Sequence, residues 1–406
     1  MLFAAGNLHS LSPINLTLAM KISTFPFPGL TLAALAVSLF SITTLSGCDN
    51  PPDTVKIGVA MPLSGPFSVI GQDSLNGVKL AVAEINKEGF KIKGKPVSIE
   101  IMAVDDRGDL ATAKEVAKQL VEAGVVAVIG HFNSSASIAA APIYAEKNIA
   151  ELALSTDPKF TQLGLATTYR LMANNTLQSK AMGSFAVNQL KAAKVAVADD
   201  GTPVGRGLAD GAAEELKAAK KEITIRQSFD VKTAAFDELA GKLKAGNVEV
   251  VISTLSDWQV LALLDALKKV EFTSVSILGS NLYKTATMLK GVGMVRGLYA
   301  TSPVLEIKEF SKGPQFLDKF RAAFKMEPVY GPHYTYDAVY VLAGAMKRAE
   351  SASAKKITET LRTLDGYGPV VGSMKWDAVG ERLYGAIGVY SARAGNWELQ
   401  MRSDKW

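Results

Sequence analysis

Two adjacent serines stand where an apolar strand gives way to a helix. The β-branched run at residues 125–129 ends at Gly130, and helical spacing begins at Ser134 and Ser135. Backbone N–H groups in the first turn of a helix lack intrahelical partners, and the helix dipole adds partial positive charge there. A carboxylate docked at this point gains several donors, including the serine hydroxyls. The pattern predicts an anion-binding site, with helix capping by Ser134 as the simpler alternative.

Strands and helices alternate on both sides of this stretch and divide into two sets. The first set has strands at 55–61, 97–104, 125–129 and 149–154, with helices at 76–88, 110–123 and 135–146. The second has helices at 179–190, 205–220, 236–243 and 258–270, with strands at 194–197, 223–229, 248–253 and 275–278. Later helices at 314–324, 334–349 and 357–364 precede short strands at 370–374, 386–390 and 397–401. This alternation predicts an α/β protein with two similar, doubly wound lobes, each built on a parallel sheet. Ligands of such sheets bind beyond the carboxyl ends of the strands, so we expect a cleft between the lobes.

The N-terminal segment differs from the rest of the chain. Residues 22–48 carry no charge, residues 30–45 are largely apolar, and Lys21 precedes them. A transmembrane helix is the alternative to a signal peptide, but it needs roughly twenty apolar residues. Pro26 and Pro28 also interrupt the start of this run. We therefore predict a signal peptide over residues 1–48. Residues 1–19 contain no Lys or Arg, so Met20 is an alternative start to Met1.

The single cysteine of the chain, Cys48, follows the apolar run directly. A lone cysteine excludes a disulfide within the chain. The sequence Leu45-Ser46-Gly47-Cys48 resembles the lipobox of bacterial lipoproteins, in which the cysteine is acylated and becomes the new N-terminus. Several acyl chains give a stable anchor where one alone does not. We predict lipidation at Cys48, a polar tether at 49–53, and a location on the periplasmic side of the cytoplasmic membrane.

Composition and motifs argue against several classes of function. The net charge is +5, and no long basic block is present, so nucleic acid is not an expected partner. Residues 89–95 begin like a phosphate loop, but Pro96 follows and no helix opens there. After the leader only His131 and His333 remain as histidines, which makes a zinc or Ser-His-Asp site improbable. The pairs at 105–106 and 199–200 could bind a metal, but solvated strand-end loops explain them more simply. We predict no catalysis, no cofactor and no metal.

From residue 54 onward the chain resembles the periplasmic binding proteins of ABC transporters for branched-chain amino acids, which have the type I fold. The matching segments are residues 55–66, 76–77, 83–86, 105–106, 128–131 with 134–135, 155–158, and 376–377 with Gly380. The resemblance implies lobes joined by three hinge crossings, with an N-terminal lobe of 54–175 and 302–383 and a C-terminal lobe of 176–301 and 384–406. It also implies that closure traps the ligand between them.

The same resemblance assigns residues to the site. The family's carboxylate-binding serine matches Ser134, and its neighbouring threonine and carbonyl match Thr156 and Leu154. The acid that holds the ligand's ammonium falls at Asn281, and an amide there loses a charge-assisted contact on the order of 1–3 kcal/mol. The other expected ligand-binding residues are Phe132, Asn133, Ser135, Asp257, Trp258 and Tyr283. Asp257 or Asp200 could supply a replacement charge or be a solvated loop residue. Further wall positions are Ile70, Val204, Tyr330 and Tyr334.

The sequence therefore predicts a monomeric, membrane-tethered solute-binding lipoprotein. Its ligand is expected to be a small carboxylate-bearing compound, an amino acid or a relative of one, passed to an ABC permease and its ATPase. Closure would follow from the ligand bridging both lobes, without turnover chemistry. The alternative is a ligand sensor of the same fold that signals to a regulator without transport.

Overall fold

A five-stranded parallel sheet is built from the first part of the chain. The computed structural model describes residues 50–405, so the predicted signal peptide and lipidated Cys48 lie outside the described residues. The elements here are β1 (Thr54–Met61), α1 (Ser68–Glu88), β2 (Lys91–Ile92), β3 (Lys95–Pro96), β4 (Ser98–Asp105), α2 (Leu110–Glu122), β5 (Ala127–Gly130), α3 (Ser134–Ala145), β6 (Ala150–Ala153) and β7 (Thr168–Arg170). The strand order is β4-β1-β5-β6-β7, and β2 and β3 form a separate hairpin.

A second sheet forms from the middle of the chain. Its elements are α4 (Asn175–Asn188), β8 (Lys194–Asp199), α5 (Pro203–Ala218), β9 (Glu222–Ser228), α6 (Asp237–Ala245), β10 (Val250–Ser253), α7 (Asp257–Lys269), β11 (Ser276–Gly279) and β12 (Gly297–Ser302). These strands are parallel to one another. Short apolar strands of this kind, buried on both faces, are typical of parallel sheets covered by helices.

The last part of the chain contributes to both sheets. It contains α8 (Gly313–Phe324), α9 (Pro332–Ala349), α10 (Ala354–Thr363), β13 (Gly366–Gly368), β14 (Gly372–Met374), β15 (Gly388–Arg393) and β16 (Asn396–Arg402). Side chains of α8, α9 and α10 join the core of the first sheet. Strands β15 and β16 extend the second sheet in antiparallel fashion, which gives the order β16-β15-β12-β11-β10-β8-β9.

The chain therefore passes between the two sheets three times. The crossings lie between β7 and α4, between β12 and α8, and between β14 and β15. The predicted α/β class with paired parallel sheets and a three-crossing connection is confirmed. The residue boundaries proposed for the two lobes stay a prediction.

Helix α1 and the predicted tether differ from the sequence expectation. Helix α1 begins at Ser68 rather than at residue 76. The sequence does not indicate this earlier start, because the first turns bury polar side chains and carry no apolar periodicity. Asp73, for example, accepts the backbone N–H of Tyr330 at 2.6 Å. In the expected tether, Pro51 is buried and the carbonyl of Asp53 accepts the N–H of Ser98 at 2.8 Å. Pro51 and the backbone of Asp53 are thus held against the first sheet, while Pro52 and the Asp53 side chain are exposed.

Within residues 50–405, no helix combines the length and apolar character that crossing a membrane requires.

Candidate functional site

A cleft of about 810 Å³ opens where the carboxyl ends of strands from both sheets meet. The loop after β5 brings residues 132–135 to it, and the loop after β6 brings Leu154 and Thr156. Asn175, Val204 and Asn281 enter from the elements of the second sheet, and Tyr330 from the segment before α9. Strand ends of an α/β sheet are where ligands of this fold class bind.

Seven of the ten predicted ligand-binding residues line this one cleft. They are Phe132, Asn133, Ser134, Ser135, Leu154, Thr156 and Asn281. The other three do not line it. Tyr283 is fully buried in the second core with its hydroxyl 2.5 Å from Ser253 Oγ, and burial raises its pKa. Asp257 accepts the N–H of Trp258, and the indole of Trp258 is 44% exposed.

The wall positions suggested by the sequence are divided in the same way. Val204 and Tyr330 line the cleft, whereas Ile70 and Tyr334 do not. Tyr334 is buried, and its hydroxyl accepts the N–H of Leu305 at 3.4 Å. Asp200 also lies outside the cleft lining. Its carboxylate accepts hydrogen bonds from the backbone N–H and the hydroxyl of Thr202.

The N-terminus of α3 reaches the cleft without a side-chain cap. Asn133, not Ser134, holds the N-cap position, so the interpretation of Ser134 as its own helix's cap is wrong. The side chain of Asn133 makes no capping hydrogen bond, because it lies against Gly108, where a Cβ atom would come within 2.7 Å of its Oδ1. The first helical bond joins Ser137 N–H to Asn133 O at 3.0 Å. The N–H groups of residues 134–136 therefore precede the helical ladder and are open to an anion.

Ser134 joins two loops of the site. Its Oγ accepts the backbone N–H of Thr156 at 3.2 Å and that of Asp157 at 3.3 Å. Both contacts use the oxygen as acceptor, so the hydroxyl proton remains free to be donated. The carbonyl of Thr156 accepts the N–H of Asn175 at 2.8 Å, which ties this loop to the start of α4.

Arg170 supports the same loop from below. Its guanidinium donates to the carbonyls of Ser155 and Asp157 and pairs with Glu381 at 2.9 Å. The side chain is fully buried, and this burial lowers its pKa while Glu381 opposes the shift. A planar, always charged fork with several donors is suited to fixing carbonyls in this way. The loop that carries Thr156 is therefore held by the β7 strand and by the segment before β15.

His131 and the acid pairs are structural parts of the fold. His131 is buried with Nδ1 2.6 Å from Asp106 and Nε2 3.2 Å from the hydroxyl of Tyr144. The expectation that the two Asp pairs are solvated is wrong for Asp106 and Asp199, because both side chains are fully buried and hydrogen-bonded. Among residues 50–405, no cluster of three or more His, Cys, Asp or Glu residues could hold a metal ion.

Asp105 orders the loop on the other side of the cleft mouth. Its Oδ1 accepts the N–H groups of Leu63 at 2.8 Å and Ser64 at 3.3 Å. Burial acts to raise the pKa of Asp105, but hydrogen bonds from Ser64, Arg107 and Leu63 outweigh it and lower that pKa. The same loop places Phe67 against Phe132 with ring centroids 5.8 Å apart. Phe132 then meets Tyr330 edge-on at 5.7 Å, so aromatic side chains from three segments meet at the cleft.

Residues 54–396 match the periplasmic binding protein family. The chain belongs to this family. Leu/Ile/Val-binding protein homolog 1 of Brucella melitensis is 30% identical over 332 residues, which cover 80% of this chain and 87% of that protein. An amino acid binding protein of Pseudomonas aeruginosa is 30% identical over 355 residues, covering 86% and 92% of the two chains. The crystal structure of a leucine binding protein from Thermotoga maritima has a TM-score of 0.71 at 23% identity, covering 87% of this chain and 100% of that one. The resemblance predicted from the sequence is confirmed.

This periplasmic binding protein also has cleft residues that sequence reasoning missed. Lys114 and Lys159 line the cleft with exposed side chains, and Asn175 lines it beside them. Asp157 is the only acid among the described residues that line it, and its carboxylate accepts the N–H of Lys159 at 2.9 Å. Asp157 and Lys159 have one signal in the sequence, a position shortly after the predicted strand at 149–154. Lys114 lies within a predicted helix, and Asn175 is not close to the end of a predicted strand. The balance of charge in the cleft favours an anionic ligand.

Proposed function

We propose that the protein is the extracytoplasmic solute-binding component of an ABC importer. It captures a small carboxylate-bearing ligand, an amino acid or a related compound, in the cleft and delivers it to the permease and its ATPase. The observation that carries this proposal is the uncapped N-terminus of α3, which lies in the cleft beside the hydroxyls of Ser134 and Thr156. Membership of the periplasmic binding protein family supports it.

The carboxylate is assigned to the α3 end of the cleft. Unpartnered N–H groups and the helix dipole favour negative charge at that point, and hydrogen bonds to a charged group are stronger than neutral ones. Lys114 and Lys159 add positive charge at the same cleft. Phe132, Leu154 and Tyr330 offer apolar surface for the remainder of the ligand. The name of the Brucella relative, a Leu/Ile/Val-binding protein homolog, supports a ligand with this combination of groups.

Binding and release, rather than turnover, make up the proposed activity. The cleft lies between elements of two sheets that are joined by three crossings, an arrangement suited to hinge closure around a ligand. We propose that the protein acts as a monomer, needs no cofactor and is anchored through acylated Cys48, which lies outside the described residues. No observation on residues 50–405 favours the sensor alternative, and we do not propose it.

Isothermal titration calorimetry on the double variant Ser134→Ala, Thr156→Ala tests the site. The wild-type protein is titrated with a panel of amino acids and of aliphatic and aromatic acids, and we expect at least one tight binder. Each lost hydrogen bond to a charged group is worth about 1.5–3 kcal/mol, so the double variant should lose roughly 100-fold or more in affinity.

A matched control carries the same two chemical changes far from the cleft. Ser274 and Thr363 are exposed, and neither lines the cleft. The double variant Ser274→Ala, Thr363→Ala should bind like wild type. Unchanged affinity in the Ser134, Thr156 variant would show that the carboxylate binds elsewhere.

A further inference from the structure

Asn281 offers hydrogen-bond donors, not acceptors, to the cleft. It lies in a short 3₁₀ helix (Asn281–Tyr283) directly after β11 and lines the cleft. Its side-chain Oδ1 accepts a hydrogen bond from Gln178 Nε2 at 3.1 Å. Its Nδ2 makes no hydrogen bond to any side chain or backbone group in the described part of the chain. The group left for a ligand is therefore an amide N–H.

The orientation of this amide is set by a chain of hydrogen bonds that begins at a backbone carbonyl. The hydroxyl of Thr301 donates to the carbonyl of Gly279 at 3.0 Å, and a carbonyl can only accept. With its proton used, Thr301 Oγ1 can only accept from the Gln178 side-chain atom that lies 3.0 Å away. That atom must be the amino group, which then also donates to Asn281. Each link thus fixes the direction of the next.

Burial keeps this series of hydrogen bonds in one direction. Gln178 and Thr301 have no exposed surface, so water does not compete for either side chain. Turning the Gln178 amide over would bring its oxygen against Thr301 Oγ1 and the Thr301 carbonyl, which are both acceptors. The amide oxygen of Gln178 is buried without a partner among the described residues, while its amino group serves the acceptors around it. The polar group that the second sheet presents to the cleft is consequently a donor.

A ligand ammonium finds no free carboxylate in the described lining of this cleft. Asp157 is the acid there, and its carboxylate already caps the 3₁₀ helix that follows it. An ammonium has only donors, so facing Asn281 Nδ2 it would lose its water without gaining a partner. A carbonyl or hydroxyl oxygen at the same point accepts from Nδ2. The free N–H of the Asn281 side chain therefore selects a ligand with an oxygen acceptor at this point.

We propose that the ligand is a 2-oxo or 2-hydroxy carboxylic acid with an apolar side chain, rather than the corresponding 2-amino acid. This inference rests on the proposed function, since it requires the ligand carboxylate to dock at the N-terminus of α3. The oxygen on the neighbouring carbon then accepts from Asn281 once the cleft closes. Rejection of the amino acid follows from an unpaired charge, which discriminates more strongly than a difference in size.

Calorimetry on matched ligand sets tests the proposal. The first set is leucine, 2-hydroxy-4-methylpentanoate and 2-oxo-4-methylpentanoate, and the second is phenylalanine with its 2-hydroxy and 2-oxo counterparts. In a set that binds, an oxygen-bearing acid should bind about tenfold or more tightly than the amino acid. An amino acid that binds equally well or better overturns this inference and leaves the carboxylate site standing. Absence of binding by all six compounds also overturns this inference, and the carboxylate site is overturned only if the whole panel of acids fails to bind.

Asn281→Asp tests the residue itself. One oxygen of the new carboxylate can accept from Gln178 while the other offers an acceptor to the cleft, so the preference should shift towards the amino acid by about tenfold or more. Asn175→Asp is the matched control, because it adds the same charge to the cleft away from the hydrogen-bond chain. It should weaken all acids of a set to a similar extent. An equal shift of preference in both variants would point to bulk charge and overturn the proposal.

Gln178→Glu provides an independent route to the same change. A glutamate at this buried position has no N–H to donate, so its oxygen beside Asn281 must accept from Nδ2, which turns Asn281 Oδ1 towards the cleft. The Thr301 hydroxyl then has to leave the Gly279 carbonyl and donate to the other glutamate oxygen. The preference should again shift towards the amino acid without any change to a residue that lines the cleft. A folded Gln178→Glu protein that keeps the wild-type preference would contradict the hydrogen-bond chain.

Discussion

Glu151 is a carboxylic acid in the middle of an apolar sheet. It lies on β6, is fully buried, and neither of its oxygens has a hydrogen-bond partner among the described residues. Burial raises its pKa well above the ordinary value of 4.5, and the nearby backbone N–H of His131, which does not reach hydrogen-bonding geometry, opposes that shift. Burial also raises the pKa of the nearby Tyr144 hydroxyl, and the proximity of Glu151 adds to that shift. The neutral acid is the form that suits this position.

The variant Glu151→Gln should flatten the pH dependence of stability. Because the folded-state pKa is raised, the native protein binds a proton more tightly than the unfolded chain does. That contribution is complete below pH 4.5 and is lost as pH rises towards the folded-state pKa. An amide removes the titration, so urea unfolding at pH 5 to 8 should show a smaller loss in the free energy of unfolding. At pH 8 the variant should be more stable than wild type by about 1–3 kcal/mol.

The exposed glutamate on β4, the edge strand of the same sheet, is the control. Glu100→Gln makes the same chemical change where the side chain is in water. Its stability should follow that of wild type across the pH range. Parallel curves for Glu151→Gln and wild type would mean that the buried carboxyl is stabilised by a partner in solution.

The residues of the site could be predicted from the sequence only in part. Ser134, Thr156 and Asn281 follow strand ends and were placed by resemblance, and they do line one cleft. Tyr283 also follows a strand end, but its side chain turns into the core, a direction that position along the chain does not determine. Lys114 and Asn175 could not be singled out, since exposed lysines and asparagines are common on any surface.

Two long helices that are far apart in the sequence pack closely on the first sheet. Helix α1 places Gly77 against the first turn of α9, where a Cβ atom would come within 2.1 Å of the Pro332 carbonyl. Thr335 of α9 donates to the carbonyl of Ser74 at 2.8 Å. The close approach thus depends on a glycine and on a hydrogen bond from a threonine hydroxyl to the backbone of the facing helix.

Gly77→Ala should destabilise the protein because the added methyl group meets backbone that cannot move independently. Overpacking of this kind costs about 1–3 kcal/mol, measured as the change in the free energy of urea unfolding. Gly344 of α9 is the matched control, since an added Cβ there meets no atom within 4 Å. Gly344→Ala should instead stabilise by about 0.5–1 kcal/mol through helix propensity. A neutral Gly77→Ala would mean that the helices can separate at no cost.

The elements of the fold were more predictable than the residues of the site. The long helices and the β-branched strands carry strong periodicity and are predicted with small errors at their ends, except for α1, whose polar first turns are missed. Strands β7 and β12 were not predicted, because one has three residues and the other begins with glycine and ends in Thr301 and Ser302. Their conformation is determined by pairing with β6 and with β11 and β15, which is tertiary information.

Apolar side chains are exposed on both sides of the cleft between the two sheets. Leu110 and Val204 line it with about half of their surface exposed, and Phe67 stands beside Phe132 at its mouth. Closure of the cleft around a ligand would remove such surface from water. A connection by three crossings suits a hinge motion between the sheets.

Saturating ligand should therefore make the molecule both more compact and more stable. With the tightest acid found by calorimetry present at 100 times its Kd, the free energy of unfolding should rise by about 2.7 kcal/mol. Small-angle X-ray scattering should show a smaller radius of gyration in the same samples. At that ligand concentration the Ser134→Ala, Thr156→Ala variant should gain no more than about 0.4 kcal/mol, with a correspondingly smaller change in radius of gyration. A gain in stability at constant radius of gyration would contradict hinge closure.

The arrangement of the two sheets could not be derived from periodicity alone. Alternating strands and helices predict parallel sheets, but they do not say which sheet the helices after residue 302 cover. The resemblance to periplasmic binding proteins supplied that assignment, and the packing of α8 and α9 on the first sheet agrees with it.

The late arrival of α8 and α9 has a consequence for biosynthesis. The core of the first sheet includes Phe316, Phe320 and Leu342, although its strands end at residue 170. A nascent chain of 300 residues therefore carries all five strands of that sheet, but of the helices described here α1 alone covers the face on which α8 and α9 later pack. Contacts over such sequence distances form slowly, and incomplete sheets expose apolar surface that aggregates. The core of the first sheet can be completed only after the helix that ends at Ala349 has been synthesised, so we expect this sheet to reach its native packing late.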